Sequence, residues 1–385
     1  MATTQDPAPT ATERNGRASR LIVTQGSRAD LGDIAGDLPT DLEAVLIFTS
    51  MGLDLDTLAR TAAGRWGSRA VGCTTAGEIG PWGMTSGGVV AVGIPADLAR
   101  VEILAIEPLV PVDAAALAVW RQRLFARSEG GAIVALILVD GLCQREEALC
   151  AELEHHLAGI PLVGGSAGDD FLYRSAPVLT HGTFRSGRAV LVGLACRPGV
   201  SVRPFQIQDF APVSGPLVIT DADPVRRLIR EIDGEPAAAF YARRIGTVPE
   251  RLTGEDFAMN SMMLTIGGDI YVRSVRGLSP DGGLVMHSAI DEGMVVRLGR
   301  SGDTGEGIRR RFVGDDLLAG EPAGALLFDC MHRRMELRRQ GHLDEIGARL
   351  AAAGAAGFTT YGEVSGGLHV NQTCSGVVFA RSTHA

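Results

Sequence analysis

Thr75-Ala76-Gly77-Glu78, Ser166-Ala167-Gly168-Asp169 and Thr360-Tyr361-Gly362-Glu363 are three versions of one tetrapeptide: a hydroxyl residue, a spacer, glycine, then an acid. Each follows a short apolar run that reads as a strand, and each run is preceded by a helical stretch and another strand. The upstream strand ends are Ser50, Asp140 and Cys330, and the glycines follow them by 27, 28 and 32 residues. That spacing predicts a β-α-β unit with a turn of special function at its end, used three times. Parallel strands joined by crossovers bring their carboxyl-end turns to one edge of a sheet, where open α/β sheets bind ligands. Glycine there lets the backbone come close to a ligand or take a positive φ. The acid that follows accepts hydrogen bonds, from a ligand or from the turn's own N–H groups, and the residues alone leave both readings open.

Around these turns the chain reads as α/β throughout. Strands are expected at Val45 to Phe48, Ala70 to Cys73, Ala132 to Val139, Pro161 to Val163, Pro177 to Thr180, Ala189 to Ala195, Ala325 to Phe328 and Gly376 to Ala380. Gly88 to Ile94 and Val101 to Ile106 are expected as an antiparallel pair, as are Asp269 to Val275 and Gly283 to Ala289. Helices are expected at Asp54 to Gly64, Asp113 to Arg127, Arg145 to Leu157, Asp223 to Ile232, Pro236 to Ile245 and Leu343 to Ala353. Asp54 or Asp56, and Asp113, are candidate caps, and Pro224 and Pro236 suit a first helical turn. The polar segment 1–17 reads as a disordered tail. A composition break at Pro204 to Pro216 divides the rest into 18–212 and 213–385.

Composition narrows the function. The 385 residues carry a net charge of −9, which argues against a nucleic-acid partner, since phosphate recognition needs a basic face. All 36 basic residues are arginine, which removes Schiff-base, P-loop and general-base lysine chemistry. The six cysteines form no C-x-x-C pair, so a structural zinc site is not expected. No apolar run is long enough to span a membrane and no signal segment opens the chain, so a reduced, cytoplasmic setting is expected.

The same turns carry a family resemblance. Val71-Gly72-Cys73-Thr74-Thr75-Ala76-Gly77-Glu78-Ile79 and Leu162-Val163-Gly164-Gly165-Ser166-Ala167-Gly168-Asp169-Asp170 resemble the amino-terminal FIST domain. Gly357 to Glu363 and His369-Val370-Asn371-Gln372-Thr373, with Ala289 to Gly293 and Phe328-Asp329-Cys330, resemble the carboxy-terminal FIST domain. The resemblance covers nearly the whole chain after the tail. It implies two closely associated α/β domains with mixed sheets and a sensory module for a small-molecule ligand. Ala222-Asp223-Pro224, Asp233 to Ala237, Asp329 to Arg334 and His369 to Thr373 look like the NosP-like branch. That branch implies haem b, nitric oxide sensing, and a histidine kinase or cyclic-di-GMP enzyme as partner.

On this reading the ligand lies against Thr75, Gly77, Glu78, Ser166, Gly168, Asp169, Asp170, Thr360, Tyr361, Gly362, Glu363 and Asn371. A haem iron takes an axial His, Cys, Met or Tyr. His369 in the terminal motif is the first candidate, followed by His181 and His287; Cys330 and Tyr361 are further possible ligands. His155, His156, His342 and His384 read as surface residues, and His332, Arg333 and Arg334 as a propionate-binding group or a solvated face. Two alternatives stand beside the haem sensor. One is a haem-free sensor of a metabolite such as an amino acid. The other is a cysteine-dependent hydrolase or transferase using Cys73 or Cys330, with His369 as base. No nucleophile elbow or H-E-x-x-H motif supports the enzyme.

Overall fold

The computed structural model describes residues 20–27, 36–266, 268–312 and 320–382; the expected tail and His384 lie outside them. Three six-stranded sheets share one strand order: an edge strand, a long antiparallel strand, two parallel strands, and a hairpin. In the first sheet these are Ile22–Gly26, Val89–Ile94, Ala44–Ser50, Ala70–Thr75, and the hairpin Val178–Thr180 with Thr183–Arg185. The second runs Ala99–Ile106, Ala189–Cys196, Ile133–Val139, Leu162–Ser166, then Glu363–Ser365 with Leu368–Val370. The third runs Val200–Gln208, Thr373–Arg381, Glu321–Cys330, Ala355–Thr360, then Glu78–Gly80 with Gly83–Thr85. The fold is mixed α/β, and each parallel pair is the expected β-α-β unit.

The hairpins are exchanged. The one that follows the parallel pair of the first repeat closes the third sheet, that of the second closes the first, and that of the third closes the second. The three repeats thus interlock in a ring. The third is interrupted: between its edge strand and Glu321–Cys330 comes a nine-stranded sheet covered by the helix Ala237–Ile245.

Period-two alternation on strands buried on both faces explains the layers. Leu46 and Phe48, Leu136 and Leu138, and Leu326 and Phe328 point inward, into one core common to the three sheets. Phe358 sits there 4.8 Å from Phe48 and 5.6 Å from Phe328, ring centre to ring centre. Truncating such a ring to alanine costs about 3–5 kcal/mol. The alternate residues face outward beneath helices: Val45 and Ile47 under Leu55–Trp66, Ala135 and Ile137 under Ala114–Ala126 and Glu146–Leu157, Ala325 and Leu327 under Leu343–Ala352. Asp54 caps the first of these helices through Thr57 N, and Asp113 caps the second through Ala115 N and Ala116 N.

Several expectations are corrected. Val89–Ile94 does not pair with Ala99–Ile106, because both its edges are occupied by Ile22–Gly26 and Ala44–Ser50. The expected helix Asp223 to Ile232 is two antiparallel strands, Leu217–Asp223 and Leu228–Ile232, with Pro224 in the turn between them. Cross-strand pairing there overrides local propensity. Asp269–Arg273 pairs with Asn260–Ile266, and only Val275–Leu278 meets Leu284–Met286. The arginine-rich stretch after Cys330 is the helix Met331–Arg339, with His332, Arg333 and Arg334 buried rather than solvated.

Candidate functional site

The three strand-end turns meet and hydrogen-bond to one another in a closed ring. Ala76 N donates to Thr359 O at 2.9 Å, Gly168 N to Thr74 O at 3.0 Å, and Tyr361 N to Ser166 O at 3.2 Å. Gly362 O accepts from Ser166 N at 2.8 Å, as Gly77 O accepts from Thr359 N at 2.7 Å. These bonds set the equivalences between repeats, as do the parallel registers Ile47 with Gly72, Ile137 with Gly164 and Leu327 with Gly357. Ala76, Gly168 and Tyr361 are equivalent, and so are Gly77, Asp169 and Gly362. The second tetrapeptide is therefore displaced by one residue from its sequence alignment: the residue matching Glu78 and Glu363 is Asp170, not Asp169. The shared Ala-Gly pair at 76–77 and 167–168 suggests the wrong alignment, while Gly72, Gly164 and Gly357, six residues before each matching acid, mark the right one.

In the first and third repeats the acid braces its turn. Glu78, with no exposed surface, accepts from Thr75 Oγ1 at 2.7 Å, Ser50 Oγ at 2.8 Å and Gly88 N at 3.2 Å. Glu363, equally buried, accepts from Thr360 Oγ1, from Thr373 Oγ1 at 2.7 Å and from Thr373 N at 3.2 Å. Burial pushes both carboxyls up, that of Glu363 to about 8.

The second repeat breaks the pattern. Asp169 occupies the glycine position and accepts from the N–H groups of Tyr173, Arg174 and Ser175 and from the phenol of Tyr361. The loop it gathers holds Asp170, Phe171 and Tyr173 at φ of 56°, 67° and 52°. Non-glycine residues in that region cost on the order of 1–3 kcal/mol each and concentrate at functional sites. Asp170 is released from its own repeat and reaches Ser50 Oγ of the first at 3.4 Å. Two cavities flank this loop. One, of about 460 Å³, is lined by Ala76, Ser86, Gly87, Asp170, Phe171, Arg334, Met335 and Arg338, so all three repeats build it. The other, of about 30 Å³, lies against Tyr173, Tyr361, His287, Arg276 and Arg227.

A buried polar cluster stands behind the smaller cavity, where the inserted sheet meets the turns. His369 places Nε2 3.2 Å from Ser166 Oγ, and Nδ1 3.4 Å from both Ser288 Oγ and Glu147 Oε1. Burial would raise the Glu147 carboxyl, but His369 and Arg227 beside it hold it well below the usual range. Asn371 Oδ1 accepts from Ser288 Oγ at 2.7 Å, while Asn371 Nδ2, His287 Nε2 and His332 Nδ1 have no partner among the described residues. Burial pushes His287 well down and His332 to about 4, so both are neutral at pH 7.

Of the predicted haem ligands, His369 and His287 come together here and His181 does not; it sits exposed at the tip of the hairpin Val178–Thr180/Thr183–Arg185. Neutral imidazoles have the right chemistry for iron. The space does not match: small-molecule pockets measure about 300–1,000 Å³, and the cavity at His287 holds about 30 Å³. As placed, these residues do not fit a haem. Cys73 and Cys330 are also buried, and burial drives both thiols well above their ordinary range, away from a nucleophilic thiolate. Among the described residues no group of three or more His, Cys, Asp or Glu is arranged to hold a metal ion. Among them, too, no helix is long and apolar enough to cross a membrane. Sequence reading missed Arg338, Phe171 and Ser86; Phe171 borders the second turn, but nothing local marked the other two.

Residues 43–235 match the family model of the FIST N domain and residues 237–365 that of the FIST C domain. The boundary between the two matches falls inside the inserted sheet rather than between repeats. No curated protein matches the chain.

Proposed function

The chain belongs to the FIST family, whose domains are associated with sensory signal transduction and small-ligand binding, and we propose that it is a cytoplasmic, non-catalytic sensor whose ligand occupies the 460 Å³ cavity at the strand-end ring. The observation that carries this reading is the broken repeat. The first and third repeats use their acid to brace a turn; the second releases it, strains the adjoining loop, and borders a cavity of small-molecule size. A ligand there touches the first turn through Ala76, the second through Asp170 and Phe171, and the third repeat through the helix Met331–Arg339. Because the three turns hydrogen-bond in a ring, ligand binding at one is positioned to bias the others, which a sensor requires. The output would pass to a histidine kinase or cyclic-di-GMP enzyme.

The test is a thermal-shift screen of the full chain against small metabolites, amino acids included, repeated on Phe171→Ala. Saturable hits that weaken in the variant support the site; hits that do not respond to it, or none, count against it. Haem-dependent nitric oxide sensing is a second reading, at the smaller cavity rather than this one. It rests on the resemblance of residues 329–334 and 369–373 and on the grouping of His287, His332 and His369, and it requires the small cavity to open. A stoichiometric Soret band that shifts with nitric oxide and is lost in His369→Ala would support it; no saturable band would remove it.

A further inference from the structure

We propose that the cavity beside Asp170 binds a small oxyanion-bearing metabolite, a carboxylate or a phosphate, on the guanidinium groups of Arg334 and Arg338. The inference rests on the reading of that cavity as the sensory site, and adds the chemical class of its ligand.

Of the four other buried arginines among the described residues, Arg273 donates to the carbonyl of His369 at 3.1 Å and three are paired with carboxylates. Arg333 pairs with Asp209 at 2.6 Å and Asp329 at 2.9 Å. Arg227 pairs with Glu146 and Glu147, each at 2.6 Å, and Arg188 with Glu107 at 2.9 Å. A charge removed from water is stable only when paired, and these three obey that rule. Arg334 is only 3% exposed, yet among the described residues it has no carboxylate within salt-bridge distance. Its Nη2 donates to neutral oxygens, Ser86 Oγ at 2.9 Å and Met84 O at 3.5 Å, and its Nη1 has no acceptor among the described residues.

Glu78, Asp329 and Asp170 attract Arg334 through space without forming a salt bridge to it, and a second cation opposes them. Arg338 lies one helical turn further on the helix Met331–Arg339, and the two guanidinium groups repel. Both line the same cavity, and Arg338 sits exposed at its rim. A pair of like charges, one buried and neither in a salt bridge among the described residues, is an arrangement that an anionic ligand completes. Planar guanidinium forks favour carboxylate and phosphate oxygens, to which they donate two parallel hydrogen bonds. The cavity supplies one opposing charge, Asp170, across from them. Its repulsion weakens an anion's hold, which keeps the site reversible, as sensing requires.

The experiment uses the full chain at constant ionic strength, titrated with inorganic phosphate and separately with malonate, with chloride as the control. Binding is read by calorimetry and by the methyl resonance of Met335, which lines the cavity. One of the two anions should bind saturably, and which is tighter distinguishes a phosphate ligand from a carboxylate. Arg338→Gln, at the exposed rim where folding is not at stake, should weaken binding about tenfold or more, and Asp170→Asn should tighten it severalfold. Arg334→Gln should abolish it; because that residue is buried and its loss can unfold the chain, Arg338→Gln and Asp170→Asn are the deciding variants. Binding that neither of these two alters overturns the proposal, as does no saturable binding of either anion. If a neutral or cationic compound then moves the Met335 resonance, the anion class is rejected and the sensory cavity stands. If no compound of any class moves it, the cavity reading falls too.

Discussion

Glu78 and Asp170, equivalent residues of two different repeats, meet at one hydroxyl: Ser50 Oγ lies 2.8 Å from the first carboxylate and 3.4 Å from the second. Ser50 also accepts from Gly87 N at 2.8 Å, so one side chain ties together the first parallel pair, its hairpin and the loop of the second repeat. Its counterparts are Asp140, which accepts from Gly187 N at 2.7 Å, and Cys330. Ser50→Ala removes the donor between two buried or half-buried carboxylates and leaves Gly87 N unpaired. Unmade hydrogen bonds of this kind cost about 1–3 kcal/mol. Urea unfolding should show that loss, and a variant as stable as the parent would mean that Ser50 does not join the repeats.

Glu363 predicts a pH dependence. Its carboxyl titrates near its ordinary 4.5 when unfolded and at about 8 in the folded chain, burial being the main cause. Between those values the folded state holds a proton that the unfolded state has lost, so stability falls as pH rises. The contribution is complete below about 4.5 and gone above about 8. Glu363→Gln keeps the shape of the protonated acid and should lose that slope. At pH 8 it should exceed the parent in stability by a few kcal/mol, since each pH unit between the two titration points is worth about 1.4 kcal/mol. Other raised acids, such as Glu336 and Asp140, slope the same way, so the difference between parent and variant is the quantity to measure.

Much of the core was legible in the sequence, because a strand buried on both faces is a plain apolar run and Ala44–Ser50, Ile133–Val139 and Glu321–Cys330 each follow one. The triple use of one turn was legible too, because glycine before an acid is a local signal. What stayed hidden is relational. The exchange of hairpins leaves no mark on Glu363–Ser365 or Val178–Thr180 themselves, since either could pair with its own repeat. The inserted sheet separates Val200–Gln208 from Glu321–Cys330, so no window of sequence shows them as parts of one repeat. The burial of Arg333 was hidden for the same reason: its partner Asp209 lies 124 positions away.

The glycines of the ring offer a contrast. A methyl group at Gly362 would lie 2.2 Å from His369 Nε2 and 3.1 Å from Asn371 Nδ2, both on buried side chains. Gly362→Ala must therefore push His369 off Ser166, and overpacking of this kind costs about 1–3 kcal/mol. Gly64 lies in the helix Leu55–Trp66 with nothing within 4 Å of the same added methyl. Gly64→Ala should stabilise the protein by about 0.5–1 kcal/mol, the helix-propensity difference. Thermal melts of the two variants should move in opposite directions, and a neutral Gly362→Ala would show that His369 is not held against Ser166.

The interlock predicts how the chain divides. A cut at residue 212, where composition breaks, separates Val200–Gln208 from Thr373–Arg381, with which it pairs along its whole length. The same cut takes Glu363–Ser365 off the edge of Leu162–Ser166 and removes Leu326, Phe328, Phe358, Val377 and Phe379 from the shared core. Fragment 1–212 would then expose open strand edges on Val200–Gln208, Leu162–Ser166 and Glu78–Gly80 and the inner faces of two sheets, a combination that favours aggregation. Alone it should neither melt cooperatively nor run as a monomer in gel filtration. Co-expressed with fragment 213–385 it should form a one-to-one complex with the spectrum of the intact chain, because each fragment carries a hairpin or strand the other lacks. A monomeric fragment 1–212 that unfolds cooperatively by itself would show that the repeats are neighbours and not a ring.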